Sequence, residues 1–526
     1  MIIEKRLRLK SIEKKRFDLA IYKQGDLTEL TIEAYGMSGE GIAKKDGFTF
    51  FVPFALVGEK IKARITHVNK KGLIFATLNE IVVPSETRIK PPCNRFTRCG
   101  GCDLMHMDYA TQLEVKRANV ISLLKKNANI TFDVDETVPC SEPLGYRNKI
   151  QLPFGTVNGK AAVGFFRENS HKIVSITKCF LHGEWVDKLI AVFLEYANQY
   201  GISVFDDIKK KGLLRHMVAR FTDGQYCIVV VTNNAPLPKK KELVAMLKNA
   251  IGDDFSLYES IKKSYDNVIL GESVNVIKQR RMTVDVCGIK MDINPYSFLQ
   301  LNNEIRDKIY MRIADDVCKT AESPTVIDAY AGVGALGAIL AKRGANVYNI
   351  EIVKEATEDG EKLAVDNGLS DRITNINGDA AEELPKLINR ILGTEIKTNG
   401  DINKENSNED IAIILDPPRK GCDERVLEAI NGINQNFRLY YISCNPATLT
   451  RDLKILTSSG RYEIHSITPY DMFPQTKHVE TLVVLSHKKP DSHLEVKIDF
   501  DNTSLDKTAI AERAEKRKSQ EKTTDI

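Results

Sequence analysis

The sequence predicts a multidomain chain in three parts: a small antiparallel β-barrel, an α+β middle domain and a doubly wound α/β domain. Three observations carry this reading. The chain has 526 residues, too many for one core when domains run to roughly 100 to 200 residues. Between 27 and 83, short segments alternate apolar and polar residues and are punctuated by glycines at 36, 39, 41, 47, 58 and 72, the pattern of about five short strands. From 301 to 488, apolar runs alternate with helical stretches, as in a parallel sheet covered on both faces.

Residues 1–24 form a tail with a local excess of five positive charges, hidden within a net charge of only +4 for the whole chain, and suited to phosphates. The barrel spans 25–84. The middle domain, 85–300, is predicted to contain helices over 109–126 and 184–199 and strands over 149–154 and 226–232. The α/β domain, 301–488, places strands at Thr325-Val-Ile-Asp, Val347-Tyr-Asn-Ile-Glu, Ile411-Ala-Ile-Ile-Leu and Leu439-Tyr-Tyr-Ile-Ser. The polar stretch 393–410 reads as a surface insertion, and 489–526 as a charged, disordered tail. Hydrophobic residues make up 42% and charged residues 28%, which fits a soluble globular protein. No apolar run approaches the roughly 20 residues that cross a bilayer, and the charged start lacks a secretory signal core. A cytoplasmic protein without membrane partners is expected.

Asp328-Ala-Tyr330-Ala-Gly332-Val-Gly334-Ala-Leu-Gly337 stands where a buried strand hands over to a helix. Glycines there permit a tight turn and close approach of a ligand, and Glu351, ending the next strand, is placed to bind ribose hydroxyls. The string contains G-x-G-x-x-G, so a dinucleotide is one reading. Two acids favour S-adenosylmethionine instead: Asp328 before the first glycine, and Asp379 after the third strand, where an adenine would lie. They would repel a pyrophosphate but attract the cofactor's ammonium and sulfonium. Asp416-Pro-Pro-Arg419-Lys-Gly421 follows the fourth strand and faces the same crevice. Enzymes that methylate exocyclic amines need an aromatic residue after such prolines; Arg419 argues against that reaction.

The fifth strand ends in Ser443-Cys444-Asn445-Pro446, with a helix starting behind it. A thiol at a helix N-terminus gains thiolate character from the local positive potential. Further on, Glu480 enters an otherwise apolar strand, as either a paired carboxylate or a base of raised pKa. This set suits methylation of uracil carbon 5, which becomes nucleophilic only after a thiolate adds at carbon 6. Cytosine C5 enzymes usually carry their cysteine after the fourth strand, where this chain has Asp-Pro-Pro-Arg. Separately, Cys93-x5-Cys99-Gly-Gly-Cys102 supplies three metal ligands, and on spacing alone zinc and an iron–sulfur cluster fit equally.

These motifs together resemble the RNA uracil-5-methyltransferase family, over about 27–488. Phe298-Leu-Gln300-Leu-Asn302 is similar to its F-x-Q-x-N box, which places Gln300 in the pocket for cofactor and substrate. Tyr330 and Gly332 match its cofactor loop, Glu351 and Asp416 its further cofactor acids, Ser443-Cys444-Asn445-Pro446 with Arg451-Asp452 its nucleophile box, and Glu480 in His-Val-Glu-Thr its general base. Ala335 departs from members that have Asn there. The resemblance implies that the barrel is a TRAM module and the last domain an S-adenosylmethionine-dependent methyltransferase. It also implies that Cys93, Cys99 and Cys102 hold a 4Fe-4S cluster with Cys179 as fourth ligand. Cys140, Cys227, Cys287, Cys318 and Cys422 are then core thiols. The implied partner is RNA rather than DNA, large-subunit (23S) ribosomal RNA first and transfer RNA second, handled by a monomer. Arg147, Asn148, Lys149, Arg167, His171, Arg215 and His216 are candidate RNA-facing groups. A catalytically silent RNA-binding protein of this fold is the rival reading.

Overall fold

A computed structural model describes residues 21–167, 170–319, 321–391, 411–433 and 436–487. Most of the basic tail, the polar insertion 393–410 and the charged tail 489–526 lie outside the described residues.

Alternation builds the front barrel. In Phe48–Val52, and in Lys60–Val68 as far as Ile65, every second residue is buried, and Phe48, Phe50, Val52, Ile61, Ala63 and Ile65 form its core with Ile74 and Ala76. The sheet has six strands, including the two-residue Ala34–Tyr35, against the five expected. It is also not wholly antiparallel. The hairpin Lys60–Val68 to Leu73–Val83 returns the chain alongside Phe48–Val52 in the same direction, pairing Phe51 with Phe75 in parallel.

The middle region forms a seven-stranded sheet. Helices Glu184–Gln199 and Lys240–Ile251 cover one face, and the first presents Trp185, Leu189, Phe193 and Tyr196 at helical spacing to that core. Helix Tyr109–Leu123 is shorter than its predicted 109–126. It opens into a π turn, Leu124–Ala128, stopped by Asn129 at φ +57°.

The last domain is a seven-stranded sheet in the order 3-2-1-4-5-7-6, all parallel except the seventh strand, Glu480–His487. Its core draws on more distant sequence than expected. One face takes in the hairpin Met282–Val286 and Ile289–Ile293, and the other takes Val120, Leu124 and Val134. Among the described residues no helix is long and apolar enough to cross a membrane.

Candidate active site

Every loop that carries a predicted catalytic or cofactor residue, apart from the segment of Gln300 and the loop before Glu480, leaves the sheet at the carboxyl ends of its parallel strands. The first strand, Thr325–Asp328, delivers Asp328, which is buried and accepts the Tyr330 N–H at 3.3 Å. Two glycines of the next turn have left-handed backbones, Gly332 at φ +57° and Gly334 at φ +75°. A Cβ at Gly334 would lie 2.6 Å from Asn349 Nδ2, whereas one at Gly332 would meet no protein atom within 4 Å. Gly334 thus serves packing, and Gly332 fronts open crevice. Glu351 accepts the N–H groups of Gly332 (2.9 Å) and Val353 (2.8 Å), so it braces the turn it faces. Asp379 caps helix Ala380–Ile391 by accepting the Ala381 N–H at 3.0 Å, and lies 3.6 Å from Arg425. Tyr330 and Gln300 are half-buried. The Gln300 carbonyl accepts from Asn148 Nδ2 at 2.8 Å, which straps the F-x-Q-x-N segment to the middle sheet.

Cys444 follows the fifth strand, Phe437–Ser443. Asn445 caps helix Pro446–Ser458 by accepting the Ala447 N–H at 3.1 Å. Asn445 Nδ2 and Thr448 Oγ1 donate to the Arg419 carbonyl at 3.1 and 3.3 Å, joining the Asp-Pro-Pro-Arg loop to the nucleophile loop. Beneath them buried Asp452 accepts the Cys422 N–H (2.9 Å), the Tyr441 hydroxyl (2.6 Å) and Arg451 Nε (2.7 Å). Sequence reasoning placed Asp452 in a motif without a task; its task is to hold these two loops together.

Burial pushes the Cys444 thiol up to about 11; Glu480 adds to the rise and Arg419 opposes it. The expected thiolate stabilisation at the helix N-terminus does not prevail in the resting site. Cys444 precedes the cap residue, Pro446 removes one N–H, and burial beside acids outweighs the rest. Burial, then Asp416, holds the buried Glu480 carboxyl well above the usual carboxylate range. Burial also pushes Asp328 and Asp416 up to about 7. Three recessed acids around one crevice match a cationic ligand, as expected for the sulfonium and ammonium of S-adenosylmethionine.

This arrangement sets a stability test. The folded chain keeps protons on Asp328 and Asp416 up to about pH 7, whereas the unfolded chain releases them near 3.8. Stability therefore falls as pH rises through that window. At pH 8 without ligand, Asp416→Asn should melt several degrees above the parent, a gain on the order of 2–4 kcal/mol, with the gap narrowing toward pH 4 in thermal melts.

Away from the crevice, Cys93, Cys99, Cys102 and Cys179 line one cavity of about 30 Å³, with Phe96, Phe165 and Arg147 in its wall. All ten cysteines are free. Burial raises the thiols of Cys99, Cys102 and Cys179, and neighbouring thiols of the set add to each rise while Arg147 opposes it. Among the described residues, no three His, Cys, Asp or Glu side chains close tightly enough to hold a single metal ion. His182 contacts Cys179 Sγ at 3.1 Å through Nδ1 and the Lys149 carbonyl at 3.1 Å through Nε2.

Several RNA-facing candidates have other surroundings. Asn148 and Arg215 are buried, and Arg215 donates to the Ser264 carbonyl at 2.8 Å. Arg147 belongs to the cysteine cavity, Lys149 is half-buried, and burial lowers His216 to about 4. Arg167 and His171 are exposed, with His171 3.1 Å from Asp207.

Comparison with known proteins accords with this geometry. The tRNA (uracil-5-)-methyltransferase family profile matches residues 262–488, and the TRAM domain profile matches 23–74. An uncharacterized RNA methyltransferase of Listeria innocua is 37% identical over 474 residues, covering 90% of this chain and 100% of that protein. One of Halalkalibacterium halodurans is 37% identical over 469 residues, covering 88% and 98%. The chain belongs to the RNA (uracil-5-)-methyltransferase family. This family member is an S-adenosylmethionine-dependent RNA methyltransferase with a TRAM domain at its front. Its fold is similar to Pyrococcus abyssi tRNA (uracil-54, C5)-methyltransferase, solved with S-adenosyl-L-homocysteine: TM-score 0.65, 27% identity, 87% of this chain and 100% of the other. The family match begins at 262, upstream of the expected methyltransferase boundary at 301, and so includes the hairpin that packs into the methyltransferase core.

Proposed function

We propose that this enzyme methylates carbon 5 of a uridine in RNA through a covalent bond between Cys444 and carbon 6, with Glu480 as base. The observation that carries the reading is the meeting of thiol, recessed base and cation at one crevice: the charges of Glu480, Asp416 and Arg419 all act on Cys444. As thiolate, Cys444 adds to carbon 6, and the ring's electron pair moves to carbon 5 as an enolate. S-adenosylmethionine supplies the electrophilic methyl group when bound, with Gln300, Tyr330, Gly332, Glu351, Asp379 and Asp416 as the residues that would hold it. Glu480 then takes the proton from carbon 5, the 5,6 double bond re-forms, and the carbon–sulfur bond breaks to release Cys444. Arg419 offsets the burial penalty on the thiolate.

Cys93, Cys99, Cys102 and Cys179 would hold a 4Fe-4S cluster that pins the segment before the middle sheet, and Arg147 would offset its negative charge. Four free thiols around one apolar-walled cavity support this. Protein purified anaerobically should carry iron, and Cys102→Ser should lose it; colourless protein holding zinc would refute the assignment.

RNA binding is supported by an outward row on the barrel. Phe51 stacks on Phe75 at 5.5 Å between ring centres, and His67 lies 6.1 Å from Phe75. Exposed Lys70 and Lys71 follow on the adjoining turn. Aromatic rings beside lysines suit unpaired bases and their phosphates, and Phe75→Ala should weaken RNA binding about 5- to 100-fold in a filter-binding assay. Large-subunit ribosomal RNA is the first substrate reading. Transfer RNA is the second, favoured by the family description and by the Pyrococcus abyssi neighbour. Mapping 5-methyluridine in both RNAs with and without the enzyme decides between them; absence from both would end the proposal.

A further inference from the structure

The loop that leads into Glu480 is held from outside the methyltransferase sheet. It connects the strands Tyr462–Tyr470 and Glu480–His487, and its centre, Gln475, is buried with a left-handed backbone at φ +69°. A non-glycine residue there is unfavourable and persists only where its surroundings fix it. The fixing contacts come from the segment just after Cys102. The N–H groups of Asp103 and Leu104 both donate to the Gln475 carbonyl at 3.0 Å. Gln475 and Gln112 exchange reciprocal bonds: Gln112 Nε2 donates to Gln475 Oε1 at 3.1 Å, and the Gln475 N–H donates to Gln112 Oε1 at 3.0 Å. Asp103 Oδ2 accepts the Lys477 N–H at 3.1 Å. Two further ties flank these. Buried Lys116 pairs with Asp471 at 2.5 Å, and the Tyr146 hydroxyl donates to the Pro474 carbonyl at 3.0 Å. Tyr146 in turn accepts from Arg147 Nε at 3.2 Å, and Arg147 lines the cysteine cavity.

We propose that Asp103, Gln112 and Gln475 are positioning residues for the base, and that the cysteine-bearing loop is the strut that sets where Glu480 stands. Neither Asp103 nor Gln112 belongs to the sheet that carries the nucleophile, yet together they fix the approach of the one strand that delivers the base. The inference rests on the reading of Glu480 as the group that takes the carbon 5 proton. Loosening the strut should therefore slow the last half of the reaction and spare the first. Thiolate addition and methyl transfer go on; proton removal lags, and methylated RNA stays bound to Cys444.

The test uses the full chain, purified anaerobically, with ordinary uridine-containing RNA and S-adenosylmethionine. Gln112→Leu, Gln475→Gly and Asp103→Ala are compared with Glu480→Gln and with Asp103→Asn, which retains an oxygen to accept the Lys477 N–H. Gln475→Gly keeps the left-handed backbone without the amide, so it also serves if Gln112→Leu does not fold. Turnover in Gln112→Leu, Gln475→Gly and Asp103→Ala is expected to fall about 10²-fold, with RNA affinity within about twofold of the parent. A denaturation-resistant, methylated RNA adduct should build up in these variants and not in the parent, and Asp103→Asn should largely restore release. If Glu480→Gln builds the adduct and the strut variants lose turnover without it, the strut proposal is overturned while the base assignment stands. If Glu480→Gln itself builds no adduct, the base assignment fails and the strut proposal fails with it.

Discussion

Glu480→Gln is expected to lower turnover by about 10² to 10⁴-fold, the usual contribution of a positioned acid or base, while leaving methylated RNA attached to the protein. The amide keeps the shape of the side chain and cannot take a proton. Folding should not suffer, because the native site already favours the uncharged carboxyl: burial and Asp416 hold Glu480 well above the usual carboxylate range. The same shift sets the pH dependence. A base acts only when deprotonated, so kcat/KM of the parent should rise with pH through the raised Glu480 range. It should go on rising toward the thiol, which stands near 11 without ligand. A bound sulfonium would favour both anions and draw this profile toward neutrality, which a comparison of Cys444 alkylation rates with and without S-adenosylmethionine can measure.

Cys444→Ala should have the larger effect, because on the proposed mechanism carbon 5 becomes a nucleophile only after a thiolate adds at carbon 6. Methylation should fall below detection, a loss of at least about 10⁴-fold, with RNA and cofactor binding retained. Structure should be little disturbed. The thiol is half-buried, and deleting it leaves Asn445 capping the helix and both bonds to the Arg419 carbonyl in place. Cys444→Ser should be equally inactive, since a hydroxyl ionises far less readily than a thiol and the same burial opposes its anion.

Much of the candidate site was legible because its residues stand at strand ends. Asp328, Glu351, Asp416 and Cys444 each close or directly follow an apolar run, and a doubly wound sheet gathers such positions on one edge. Helix Glu184–Gln199 was legible for a similar local reason, a strong apolar stripe bounded by polar residues. What escaped depends on contacts distant in sequence. The positive φ of Gln475 and its pairing with Gln112 have no local signature. Asn148 and Arg215 stood as RNA-facing candidates because their partners, the Gln300 and Ser264 carbonyls, are distant in sequence and meet them only after folding. The raised Cys444 thiol is of the same kind: the helix N-terminus was visible in sequence, while the crowd of acids opposite it came together only in the fold.

RNA containing 5-fluorouridine tests the covalent role of Cys444 without relying on turnover. Fluorine at carbon 5 cannot be removed as a proton, so the reaction should stop with the base bonded to the enzyme. Trypsin should then release residues 439–451, the peptide between Arg438 and Lys454 that ends at Arg451, and mass spectrometry should find the methylated 5-fluorouridine on Cys444. No adduct in the presence of S-adenosylmethionine, or an adduct on any other cysteine, would rule out Cys444 as the nucleophile.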